Sequence, residues 1–188
     1  MKQKLIFLDI DGTLTPAGTN TPPDSALAAI RAAQKNGHKV FLCTGRNLAM
    51  LSPLLKYGFD GMVASAGGYV TCGDKVLYDC PMTDAQFRTA MDKLHEGGVF
   101  CTVEAKDASY GDENLNAFLA GAGEGNSEIE RWRRALAEEL DIRPMHEYDG
   151  RPVYKIVVMC RQDAQLDPAR AVLEQDFAFC MQDVAAHN

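Results

Sequence analysis

No stretch of this chain reaches the roughly 18 consecutive apolar residues of a membrane-spanning helix. The apolar run near the N-terminus is broken by Asp9 and Asp11, which rules it out as the core of a secretory leader. Clusters of Lys and Arg are missing too. The 19 basic residues face 26 acidic ones and leave a net charge of −7, so neither a nucleic acid nor an anionic membrane is an expected partner. Cysteines are present at 43, 72, 80, 101, 160 and 180, but they form no CxxC and no Cys/His cluster. Zinc-finger spacing is therefore absent, and buried free thiols in a cytoplasmic protein are expected. What remains is an ordinary globular composition, 46% hydrophobic and 24% charged, over 188 residues. That length suits one or two small domains.

Leu5–Leu8 is a short apolar run that ends in Asp9, Asp11 and Gly12, the pattern of a buried strand entering a turn. After a proline-rich loop, Asp24 is placed to cap a helix carrying Leu27 and Ile30, with Gly37 beyond its end. Val40–Cys43 reads as a second strand, stopped by Thr44-Gly45-Arg46. Leu48, Leu51, Leu54 and Leu55 then give a helix interrupted at Pro53, and Met62–Ala64 a third strand. Tyr69–Cys72 and Lys75–Tyr78 flank Gly73-Asp74, a hairpin signal. Strand, helix, strand, helix, strand implies a parallel, partial doubly wound α/β sheet, whose ligands bind beyond the carboxyl ends of the strands. Both Asp9-Ile10-Asp11 and Thr44-Gly45-Arg46 fall at such ends.

From about Pro81 the pattern changes to amphipathic helices and strands, which divides the chain into an N-terminal part, 1–80, and a second α/β unit, 81–188. Thr83 and Gln86 form a capping box ahead of Phe87, Met91 and Leu94, with Gly97 as the stop. Strands are expected at Val99–Val103, Val153–Cys160 and Phe177–Met181. Helices are expected after Ser127, with Trp132 in its core face, and after an N-cap at Asp167. Glu104, Arg131, Arg133, Arg134 and Arg151 read as solvated positions.

Residues two apart on a strand point the same way, so Asp9 and Asp11 project together and repel, unless a divalent cation holds them ionised or one keeps its proton. A hard, oxygen-seeking ion such as Mg²⁺ suits such a pair. The string FLDIDGTLT, followed by FLCTGR at 41–46, resembles the haloacid dehalogenase (HAD) superfamily, in its Cof-type branch with a C2B cap. The resemblance implies a phosphatase of small phosphate esters in which Asp9 is the nucleophile and Asp11 the acid–base residue. It implies also that Gly12, Thr44, Gly45 and Arg46 bind the phosphoryl group, and that the Asp9 carboxylate and the Asp11 backbone carbonyl hold Mg²⁺. Two departures stand out. Ala66 occupies the place where relatives often carry an asparagine, and no lysine follows Lys155.

The superfamily's later acidic motif has one lookalike here, Gly111-Asp112-Glu113-Asn114, which reads better as the polar start of a helix bearing Leu115, Phe118 and Leu119. The expectation is a truncated phosphatase with half its catalytic sheet, an exposed edge on its first strand and a tendency to self-associate. A non-catalytic ligand-binding remnant is the alternative. A receiver-like phosphoacceptor also uses clustered aspartates but leaves the DGT and TGR strings unexplained.

Overall fold

The computed structural model describes residues 2–16, 19–113 and 141–180. Its contacts divide the chain into two units, Met1–Pro81 and Met82–Asn188.

In the first unit, β1 (Leu5–Leu8), β2 (Lys39–Cys43) and β3 (Gly61–Ala64) are parallel, and β4 (Tyr69–Cys72) and β5 (Lys75–Asp79) continue the sheet antiparallel in the order β1-β2-β3-β4-β5. Two helices supply the connections that parallel strands require, α1 (Asp24–Lys35) and α2 (Leu48–Leu55). Val40, Phe41 and Leu42 of β2 are buried, along with Ile30 of α1 and Leu51 and Leu54 of α2. Each such aliphatic or aromatic side chain contributes about 1.5–3 kcal/mol on burial. Pro53 is accommodated inside α2, whose start is fixed by the Asn47 side chain accepting from the Met50 N–H at 3.1 Å.

The first strand departs from the expectation of burial. Leu5 is 59% and Phe7 51% exposed, and among the described residues β1 is an edge strand paired only with β2. Asp24 does not cap α1 either. Pro23 takes the cap position, and Asp24 lies in the first turn, where its charge complements the helix dipole.

The second unit holds a four-stranded sheet of order β8-β7-β6-β9, from β6 (Phe100–Ala105), β7 (Ser109–Gly111), β8 (Ile142–Pro144) and β9 (Val153–Met159). Helix α3 (Asp84–Glu96) opens with the expected reciprocal capping box, Thr83 Oγ1 accepting from the Gln86 N–H and Gln86 Oε1 accepting from the Thr83 N–H. Ala90 and Leu94 of α3 meet Val99, Cys101, Leu166, Ala169 and Leu173 in one core. The last two lie on α4 (Asp167–Leu173). Asp167 is inside this helix rather than its cap, since a 3-10 turn over Asp163–Leu166 runs directly into it.

One strand was not anticipated, the buried Ser109, Tyr110 and Gly111, and three further readings change. Phe177–Cys180 is not a strand, and Phe177 and Phe179 instead pack against the α3–α4 core. Glu104 is buried rather than solvated, with its carboxylate 2.9 Å from Lys155 Nζ across β6 and β9. Burial pushes its pKa up against the lowering influence of Lys155. All six cysteines are free, as expected, but Cys101 is the buried one. The elements expected around Leu115, Phe118, Leu119, Ser127 and Trp132, the arginines 131, 133 and 134, and Met181 lie outside the described residues. Among the described residues no helix is long and apolar enough to cross a membrane.

Candidate active site

At the carboxyl end of β1 the chain makes a tight turn. The Thr13, Leu14 and Thr15 N–H groups all donate to the Ile10 carbonyl, at 3.2, 3.0 and 3.0 Å, and Gly12 adopts φ +80°. Ile10 and Leu14 are buried and anchor this turn. The polar residues between them are therefore left at the surface. Thr13 Oγ1 donates to Asp9 Oδ2 at 3.0 Å, which holds the carboxylate in one orientation.

The ends of β2 and β3 are stitched to each other. The Thr44 N–H donates to the Val63 carbonyl, the Ala66 N–H to the Thr44 carbonyl, and the Ser65 N–H to the Arg46 carbonyl, at 2.9, 3.1 and 2.9 Å. Thr44 is 7% exposed, and its Oγ1 accepts from the Arg46 N–H at 3.2 Å. Ser65 and Ala66 both have left-handed backbones, φ 51° and 54°, a conformation that costs an L-residue roughly 1–2 kcal/mol. Asp9, Cys43, Thr44, Gly45, Val63, Ala66 and Gly67 line a cleft of about 330 Å³. It lies where ligands bind in open α/β sheets.

Of the residues singled out in the sequence, Asp9, Thr44 and Gly45 line this cleft. Gly12 lies in the turn, and Asp11 and Arg46 are joined to each other. Arg46 Nε donates to Asp11 Oδ2 at 3.0 Å and Nη2 to Oδ1 at 2.6 Å, while Nη1 donates to Asn20 Oδ1 at 2.6 Å. The charge of Asp11 is thus balanced by a guanidinium, a solution to carboxylate repulsion that the spacing alone did not reveal. Cys43, Asn20 and the α2 cap Asn47 were not anticipated. Asn47 follows the TGR string directly and has the residue type of an N-cap, a signal available in the sequence.

The donors at the β1 end fit a hard cation. Asp9 offers a carboxylate with one oxygen already oriented by Thr13, and the neighbouring backbone adds carbonyl oxygen. Mg²⁺ characteristically takes one or two such donors and completes its shell with water and substrate phosphate. Asp112, the conspicuous residue of the later acidic string, has its Oδ2 engaged with His95 Nε2 and the Cys101 N–H, at 2.9 and 2.8 Å.

A carboxylate at one parallel strand end, lining a cleft built by the next two strand ends, is an α/β arrangement with its site at the carboxyl edge of the sheet. The sequence profile of the haloacid dehalogenase-like hydrolases matches residues 6–187, and the chain belongs to that family. It is 25% identical over 169 residues to the Bacillus subtilis protein named "Putative phosphatase YkrA", covering 88% of this chain and 60% of that one. It therefore spans about 60% of the length of this curated relative. Among solved structures, a haloacid dehalogenase-like hydrolase from B. subtilis superposes with a TM-score of 0.70 at 17% identity, covering 92% of this chain and 67% of the other. The HAD subclass IIB sugar phosphatase BT4131 superposes at 0.64 with 21% identity, covering 92% and 63%. These two likenesses establish the fold.

Proposed function

We propose that this chain carries the nucleophile-bearing part of a Mg²⁺-dependent phosphohydrolase that acts on a small phosphorylated metabolite through an aspartyl-phosphate intermediate. The observation that carries this reading is the Asp9 carboxylate, oriented by Thr13, at a cleft it shares with Thr44 and Gly45. Asp11 enters the step protonated and released from the Arg46 fork, and gives that proton to the ester oxygen as it leaves, while an Asp9 oxygen attacks phosphorus. Asp11, now a carboxylate, takes a proton from water as that water attacks the aspartyl phosphate and regenerates Asp9. Thr44 Oγ1 already accepts from the Arg46 N–H, so its own hydroxyl proton is directed to a phosphoryl oxygen. Gly45, with no side chain, lets the backbone approach the same group. Arg46, bonded to Asn20 and forked on Asp11, orients the acid–base carboxylate at the edge of the phosphate site. The Asp9 carboxylate and the Asp11 carbonyl would hold Mg²⁺, whose charge would offset repulsion between Asp9 and the incoming phosphate.

In this reading residues 1–80 are catalytic-core sequence and 81–188 a cap of the C2B type. A sugar phosphate is a substrate class suggested by the relative BT4131. Six free cysteines support a reducing, cytoplasmic setting. The exposed edge of β1 supports self-association. The fork of Arg46 on Asp11 also favours a second reading, a ligand-binding remnant whose acid–base group stays engaged.

Phosphate release from a generic aryl phosphate with and without Mg²⁺ tests the two, with Asp9→Asn as the control. Mg²⁺-dependent turnover that falls to background in Asp9→Asn supports the hydrolase. A ligand-induced rise in melting temperature with no turnover supports the remnant, and turnover that persists in Asp9→Asn removes Asp9 from the mechanism.

A further inference from the structure

Three different ligating side chains converge in the second unit, remote in sequence and unconnected with the Asp9 chemistry. His95 is near the end of α3, Cys101 is on β6, and Asp112 directly follows β7. His95 Nε2 or Nδ1, Cys101 Sγ and a carboxylate oxygen of Asp112 all lie within 4.8 Å of one another. We propose that His95, Cys101 and Asp112 bind a borderline divalent cation of the Zn²⁺ class, with water in the fourth position, as a clamp between α3, β6 and β7.

The donor chemistry selects the ion. One sulfur, one imidazole nitrogen and one carboxylate oxygen is a mixed set that Zn²⁺ accepts in tetrahedral geometry, whereas Mg²⁺ and Ca²⁺ prefer oxygen alone. Ligand bonds of roughly 2.0–2.3 Å at tetrahedral angles place neighbouring donors about 3.3–3.8 Å apart. The His95–Asp112 separation of 2.9 Å therefore opens by about half an ångström, and the widest separation in the cluster, 4.8 Å, closes by about one ångström. Charge favours binding as well, because a thiolate and a carboxylate together neutralise a dipositive ion.

Two of the ligands are positioned in advance by the backbone. Cys101 and Asp112 form a reciprocal pair: the Asp112 N–H donates to the Cys101 carbonyl at 2.9 Å, and the Cys101 N–H donates to Asp112 Oδ2 at 2.8 Å. The Cys101 residue is fully buried, while the His95 side chain is 46% exposed and provides the route by which an ion and its water enter. A thiol binds the metal as thiolate, so binding exchanges the thiol proton for the ion: the S–H bond breaks, the S–metal bond forms, and one proton passes to solvent for each ion bound.

Cobalt(II) titration of the full chain, after stripping with a chelator, tests the site directly. The expected result is one equivalent of Co²⁺ bound with a thiolate-to-cobalt charge-transfer band and the visible bands of a four-coordinate ion, both displaced by Zn²⁺. The charge-transfer band is expected to vanish in Cys101→Ala. His95→Gln changes an exposed side chain and is expected to keep the metal-free melting temperature while weakening binding about tenfold or more, the scale seen even for loss of outer ligand partners. No charge-transfer band in the parent chain overturns the proposal and leaves a hydrogen-bonded His–Asp pair. A band that survives in Cys101→Ala, or an affinity unchanged in His95→Gln, overturns it equally.

Discussion

Arg46 meets Asp11 with two parallel N–H donors, a geometry a lysine ammonium does not reproduce. Charge-assisted bonds of this kind contribute roughly 1.5–3 kcal/mol. If Asp11 is the acid–base group, Arg46→Lys is expected to lower kcat by about tenfold to a hundredfold with KM little changed, as steady-state kinetics on an aryl phosphate reads out. An effect on KM alone assigns Arg46 to ground-state substrate binding instead. Ala66 illustrates a different single-residue tension. Its left-handed backbone favours glycine or asparagine, so Ala66→Asn is expected to raise the urea midpoint by the equivalent of about 0.5–1 kcal/mol. The same variant adds an amide beside the cleft that Ala66 lines. A lower midpoint shows that the alanine conformation is not the strained one.

Among the elements, Asp60 joins three parts of the first unit just ahead of β3. Its carboxylate accepts from Lys39 Nζ, the Val40 N–H and Gln34 Nε2, at 2.8, 2.9 and 2.9 Å, tying β2 and α1 to that turn. Burial pushes its pKa up, but the bonds from Lys39, Val40 and Gln34 outweigh it and hold it below the usual 3.8. A depressed carboxylate stabilises the folded state fully above its unfolded pKa and loses that contribution as pH falls through the folded one. Asp60→Ala is therefore expected to cost about 1–3 kcal/mol at neutral pH, with the gap in urea midpoints closing below about pH 4. A gap independent of pH assigns the loss to packing.

The elements readable in the sequence were those set by neighbours in the chain. The Thr83–Gln86 box and the Gly73-Asp74 hairpin are local hydrogen-bond and φ requirements, and both stand in the structure. β7 was illegible because Ser-Tyr-Gly is too short and mixed to signal a strand, although its partner is the adjacent β6, and β8 because the short Ile-Arg-Pro run pairs with β7 far back in the chain. The cleft was legible in the same degree. The Asp9 and Thr44 strings announced themselves by position, whereas the Arg46–Asp11 fork and the His95–Cys101–Asp112 cluster join residues that no periodicity connects.

At the scale of the whole molecule, β1 presents an edge unpaired among the described residues, together with exposed Leu5 and Phe7, the latter stacked on Phe41 at 5.2 Å between ring centroids. Such an edge invites pairing with another chain, and lysine is a common natural guard against it. Sedimentation velocity is expected to show concentration-dependent association of the 188-residue chain, relieved in Leu5→Lys. A single monomeric boundary at all concentrations rejects association through β1. The register of the first sheet has a kinetic consequence as well. The β4–β5 pair closes a turn between Cys72 and Lys75, β2 and β3 pair across Phe41 and Gly61, and β1 and β2 pair across Leu5 and Lys39. Loop closure grows more demanding in that order. The strand that delivers Asp9 closes the longest of these loops, so in pulsed hydrogen exchange the β1 amides are expected to gain protection after those of β4 and β5.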